Sequence, residues 1–152
     1  MVEASRPRIV VAEDDEAVLE LVRTRLEIAG YAVSYARNGH AALEVIRSVQ
    51  PAALVLDLNM PGLDGFGVLT ALRSQKTRAL LPTLVLTARH AAEDVKRCLS
   101  LGAKDYLAKP FKDKDLLIRV GRLVRATPQI VRPATEVEMF DPKATRPWLE
   151  IS

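Results

Sequence analysis

Residues 52–65, AALVLDLNMPGLDG, decide how the fold is read. An apolar run closes abruptly on Asp57, and a loop rich in turn residues follows. A run of about four to eight apolar residues bounded by turn signals fits a strand buried on both faces. Open α/β sheets keep their chemistry at the C-terminal ends of the strands, where Asp57 stands. A lone carboxylate beside a core is costly, so Asp57 predicts partners elsewhere in the chain.

Working outward, residues 8–12, RIVVA, make a second short apolar run, ending in Glu13-Asp14-Asp15-Glu16. Asp15 is placed to cap a helix in which Val18, Leu21, Val22, Leu26 and Ala29 recur at helical spacing, with Gly30 as its stop. Residues 31–36 alternate like a half-buried strand. Asn38-Gly39 is a turn, and 40–49 read as a helix with Leu43, Ile46 and Val49 inward, broken at Gln50-Pro51. Downstream, a helix begins near Gly65 with Leu69 and Leu72 inward. TLVLT, 83–87, is a fourth strand ending on Thr87. A helix over 92–101 stops at Gly102, and 104–108, KDYLA, is a fifth strand running into Lys109-Pro110-Phe111. Residues 113–126 form the last helix, with Leu116, Leu117, Val120, Leu123 and Val124 inward. Five strand–helix pairs in alternation predict an α/β fold: a doubly wound five-stranded parallel sheet of order 2-1-3-4-5, flavodoxin-like (βα)5.

In that order the first and third strands are neighbours, so Glu13, Asp14 and Asp57 converge. Three carboxylates in one place repel each other and call for cations. A hard divalent ion with oxygen ligands, Mg2+, is the economical choice. Lys109, at the end of the fifth strand, is a second cation within reach. Such a pocket admits a phosphoryl group. Asp57 would be the nucleophile, the metal and Lys109 would neutralise the transferred charge, and the Thr87 hydroxyl would bond one of its oxygens.

These residues resemble a response-regulator receiver domain, in particular the single-domain, chemotaxis-type members. The resemblance rests on the acids after the first strand, DLNMPGLDG after the third, TA after the fourth and KPF after the fifth, and covers roughly residues 7–126. It implies that Asp57 is the phosphoacceptor, that Asp14 binds Mg2+ directly and Glu13 mostly through water, and that the Asn59 carbonyl is the third protein ligand. Thr87 and Tyr106 would be the switch pair, Lys109 would contact the phosphoryl oxygens, and Lys109-Pro110 would be cis. Asn59 and Arg89 would influence the hydrolysis lifetime. A histidine kinase or histidine phosphotransfer protein would be the donor, meeting the first helix. A downstream protein target would meet the face of helix 4, strand 5 and helix 5, where Lys96, Arg97, Lys104, Arg119, Arg122 and Arg125 cluster; the same face would serve a homodimer. The family often has two aspartates after strand one, and here the first is Glu13.

Composition narrows the classes. The chain has 152 residues, with 22 Lys+Arg against 19 Asp+Glu, a net charge of +3. That bias is too weak to call for nucleic acid. No apolar run is long enough for a membrane span, and MVEASRPR lacks a secretion signal's apolar core. A single cysteine, Cys98, excludes an internal disulfide and fits a reducing cytoplasm. His40 and His90 read as solvent-facing. The receiver is expected over 1–127. Residues 128–152, with four of the nine prolines, read as an extension or linker with no output domain, carrying Ile130-Val131, Met139-Phe140 and Trp148-Leu149 as points that could dock. Two other functions compete: an Mg2+-dependent phosphatase of the haloacid-dehalogenase kind, which would want an acid where Asn59 stands, and the receiver fragment of a larger DNA-binding regulator.

Overall fold

The centre of the molecule is the strand β3, Ala53–Asp57, buried along its whole length. It lies between β1 (Arg8–Ala12) and β4 (Thr83–Thr87), with β2 (Ala32–Ala36) and β5 (Asp105–Ala108) at the edges. All pairings are parallel, in the order β2-β1-β3-β4-β5. The computed structural model describes residues 6–75, 81–88 and 91–126. The predicted five-stranded doubly wound sheet is therefore the observed one. Arg89, His90 and the extension from 128 onward lie outside the described residues.

Alternation along each strand divides the core in two. Val10, Leu54, Leu56 and Val85 face one layer, built from α2 (Gly39–Val49), α3 (Gly65–Arg73) and Cys98 of α4 (Ala92–Ser100). Ile9, Val11, Ala53, Val55, Leu84 and Leu86 face the other, built from α1 (Glu16–Ile28) and α5 (Asp113–Ala126). Strands buried on both faces need continuous apolar runs, which is why RIVVA, ALVLD and TLVLT look alike.

Three helices begin with a carboxylate or amide accepting a backbone N–H: Asp15 from Val18 at 3.1 Å, Asn38 from Ala41 at 2.8 Å and Asp64 from Gly67 at 2.9 Å. Asn38-Gly39 is thus a helix start rather than a free turn. Gly30 and Gly102 end α1 and α4 at positive φ, 104° and 109°, where a side chain would be strained.

The inner face of α1 departs from expectation. Leu19, Val22 and Leu26 are buried, whereas Leu21 is 38% exposed and Ala29 is on the surface. Leu19, Val22 and Leu26 stand at i, i+3 and i+7, one stripe; Leu21 is two residues, about 200°, round from Leu19.

Candidate functional site

Three strand ends meet at the C-terminal edge of the sheet. β1 leads into Glu13, which is fully buried; β3 ends on Asp57, 3% exposed; β5 leads into Lys109. The Lys109 ammonium donates to Glu13 Oε1 at 2.9 Å and to Asp57 Oδ1 at 3.4 Å. Each acid is also pinned by the backbone that follows it. Asp15 N–H donates to Glu13 Oε2 at 3.1 Å, and Asn59 N–H donates to Asp57 Oδ1 at 3.2 Å. Asp14, between them in sequence, is exposed. One carboxylate oxygen from each of Glu13, Asp14 and Asp57 lies within 4.8 Å of the others.

The cluster holds three carboxylates against one ammonium, and Asp57 shows the cost. Burial pushes its carboxyl up, the charge on Glu13 pushes it further, and Lys109 and the Asn59 N–H offset only part; the balance is about 7 against an ordinary 3.8. Burial works against the Lys109 ammonium too. The hydrogen bond and charge of Glu13, with those of Asp57, outweigh it and raise Lys109 above a free lysine.

Residues 9–121 match the family model described as the response regulator receiver domain. The chain belongs to this family. Among curated relatives it is 49% identical over 120 residues to the response regulator MprA of Mycobacterium ulcerans, covering 79% of this chain and 51% of that protein. It is 38% identical over 135 residues to the DNA-binding dual master transcriptional regulator RpaA of Synechocystis, covering 89% and 56%. The chain thus spans about half the length of the curated relatives it matches. Among solved structures, a response regulator from Chloroflexus aurantiacus is 34% identical with a TM-score of 0.75, covering 79% of this chain and 98% of the other. The receiver domain of the sensor histidine kinase PA1611 of Pseudomonas aeruginosa, solved with magnesium in its active-site cleft, is 29% identical with a TM-score of 0.73, covering 79% and 98%.

The receiver's acidic cluster fits Mg2+ on its own geometry. The donors are all oxygen and they converge, and the charge on Glu13, which adds to burial in raising the Asp57 carboxyl, is one that a cation would relieve. Thr87 ends β4 buried, paired in register with Ala108, and Lys109 N–H donates to its carbonyl at 2.9 Å. Tyr106 pairs with Val85, two residues before Thr87, so both side chains point to the same face of the sheet; the Tyr106 ring is half-buried against the α2–α3 core. Asn59 is exposed in the loop after β3. Lys109-Pro110 is cis.

The basic face is less open than its sequence implies. Arg119 is held by Asp105, its Nη1 at 2.7 and 2.9 Å from the two carboxylate oxygens, and the Arg97 guanidinium lies 4.0 Å from the Phe66 ring centroid. Lys96, Lys104, Arg122 and Arg125 are exposed, as is His40. Among the described residues no helix is long and apolar enough to cross a membrane.

Gly65 is a site residue that motif reasoning passed over. A Cβ there would stand 2.6 Å from the Asp57 carbonyl and 2.7 Å from Leu58 Cα, both backbone, so α3 can close on the end of β3 only through a glycine. Its signal was the DG that ends the 52–65 stretch.

Proposed function

We propose that this receiver takes a phosphoryl group on Asp57 from a histidine kinase or histidine phosphotransfer protein and relays its state by changing which protein it binds. The observation that carries the reading is the Lys109 ammonium set between Glu13 and Asp57, at the sheet edge where the acceptor must be reached. An ionised Asp57 oxygen attacks phosphorus, the phosphorus–nitrogen bond to the donor imidazole breaks, and the bonding pair leaves with the imidazole. Asp57 must be deprotonated to attack, and its elevated pKa disfavours that in the metal-free cluster. Glu13, Asp14, Asp57 and the Asn59 carbonyl would hold Mg2+, which when bound neutralises charge on the transferring group. Lys109 exchanges its Asp57 contact for a phosphoryl oxygen while Glu13 keeps it in place. The Thr87 hydroxyl donates to a second phosphoryl oxygen, and Tyr106, on the same face, follows it inward. The new charge at Asp57 is thereby read along β4 and β5 at the surface of α4, β5 and α5, where a downstream protein or a second receiver would bind.

Two readings of the output share this chemistry. The relatives named as response regulator and as DNA-binding regulator, each about twice the matched length, support a receiver that governs a DNA-binding module rather than a chemotaxis-type one. A phosphatase of the haloacid-dehalogenase kind is disfavoured by the amide side chain at Asn59, which cannot serve as its acid/base. Incubation with acetyl phosphate and Mg2+ should give an acid-labile label that Asp57→Asn loses. A label that persists in D57N refutes the acceptor assignment, and sustained turnover of a general phosphoester would favour the phosphatase.

A further inference from the structure

We propose that Gly39, on α2, is a positioning residue for the Mg2+ site: with Gly67 of α3 it forms a socket for Leu63, and the seated Leu63 fixes the loop that carries the Asn59 carbonyl. This rests on the ligand role proposed for that carbonyl. The loop, residues 58–64, is tied at its ends. Asn59 N–H donates to Asp57 Oδ1 at 3.2 Å, and Gly65 N–H donates to the Leu58 carbonyl at 3.0 Å. Leu58 and Met60 are buried, whereas Asn59, Pro61 and Gly62 are exposed, so the outer half of the loop needs a hold of its own. Leu63 is the next apolar side chain, and it packs half-buried against the α2–α3 core.

Two glycines make the room for it. A Cβ on Gly39 would collide with the Leu63 carbonyl oxygen and stand 2.8 Å from Leu63 Cβ and 2.9 Å from its carbonyl carbon. A Cβ on Gly67 would collide with Leu63 Cδ1 and stand 3.1 Å from its Cγ. α2 thus receives the backbone of Leu63 and α3 its side chain. Neither glycine has a positive φ, and both lie in helices, where alanine is the better former. Backbone freedom does not ask for glycine at either position; close approach does.

The Gly39 half of the socket is rigid. Asn38 caps α2 directly before it, accepting from Ala41 N–H at 2.8 Å, and α2 packs on β1, β2 and α3. The Leu63 backbone therefore rests on a fixed surface. A carbonyl ligand has no side-chain torsion with which to correct its aim, so the Asn59 oxygen goes where the loop backbone puts it. Mg2+ demands short, near-octahedral oxygen contacts, and a displaced carbonyl weakens its binding. A methyl on Gly39 has no flexible neighbour to push aside, so the loop must lift from α2. A methyl on Gly67 meets only the outer atoms of the Leu63 side chain, which can turn away.

The test is a Mg2+ titration of the full chain followed by backbone amide resonances, with G39A, G67A and N38A beside the wild type. G39A should bind Mg2+ about tenfold more weakly, as when a residue that orients a metal ligand is lost, and its Asn59 amide resonance should already be displaced in chelator. G67A should show a smaller loss. N38A removes the α2 cap without touching Leu63, so it should lose stability yet bind Mg2+ as the wild type does. Wild-type affinity in G39A, or an equal loss in N38A and G39A, overturns the proposal, the second because it would trace the effect to the stability of α2. Should G39A fail to fold, G67A carries the test, and wild-type affinity there overturns it. A wild type whose Asn59 and Asp14 resonances ignore Mg2+ would instead sink the metal site itself, and the positioning role with it.

Discussion

At the residue scale the site is a conflict held in place. Glu13 and Asp57 are buried next to each other and share one lysine. Asp57 is raised from 3.8 to about 7, so the folded protein holds its proton more tightly than the unfolded chain does. Between about pH 4 and 7 the folded state therefore binds more protons, and stability falls as pH rises through that window. A shift of that size caps the effect at about 4 kcal/mol, less what solvent screening removes. Urea unfolding in chelator at pH 5 and pH 8 measures it: the wild type should lose stability between the two relative to Asp57→Asn, and D57N should be the more stable protein at pH 8. A parallel change in both would remove Asp57 as the source. The residue types of this conflict were legible in the sequence, because acids after the first and third strands and a lysine after the fifth are enough to foresee a clash. Which acid would be sealed and which exposed was not. Glu13 is fully buried and takes the shorter lysine bond, while the adjacent Asp14 faces solvent, a distinction set by where the chain turns after β1.

At the scale of elements, α2 and α3 each begin with a side-chain cap, Asn38 and Asp64, followed by a glycine in close contact with backbone, Gly39 and Gly65, and substituting a glycine and substituting a cap have different consequences. Gly65→Ala puts a methyl into two backbone atoms at 2.6 and 2.7 Å, so α3 must back away from the end of β3. We expect a loss of about 1–3 kcal/mol, as for overpacking in a tight core, together with slower labelling by acetyl phosphate, since the loop carrying Asn59 moves with the helix. Asn38→Ala removes only the bond to Ala41 N–H, should cost about 1 kcal/mol, and should leave labelling unchanged. Equal labelling rates in G65A and the wild type would show that the close approach serves stability alone. Element identities and most boundaries were readable because caps, glycine stops and apolar periods are local signals. The rotation of α1 was not. Leu19 and Leu21 are equally apolar, and the choice between them is made by the sheet and by α5, which includes the Arg25–Asp113 ion pair at 2.7 Å from 88 residues away.

For the whole molecule, strict strand–helix alternation settles the sheet, and the sheet brings together residues 96 positions apart, as the Glu13–Lys109 bond shows. That is why the site could be assembled from sequence once the strand order was inferred: Glu13, Asp14, Asp57, Thr87 and Lys109 each sit at or just past the end of a strand. The same architecture predicts how the fold answers a metal. A cation that binds the acidic cluster only when β1 and β3 are paired stabilises the folded state alone, by about 2.7 kcal/mol at a hundred times its dissociation constant. Thermal unfolding of the full chain should therefore shift upward with Mg2+ and return with chelator. Asp14→Ala isolates the contribution, because Asp14 is exposed and its loss should leave metal-free stability within about 0.5 kcal/mol of wild type. Glu13→Ala would confound the two effects by also stripping Lys109 of its nearer partner. In D14A the Mg2+ shift should largely vanish while the chelator baseline stays put. A full Mg2+ shift in D14A would remove that residue from the ligand set, and a collapsed baseline would mean that it supports the fold rather than the ion.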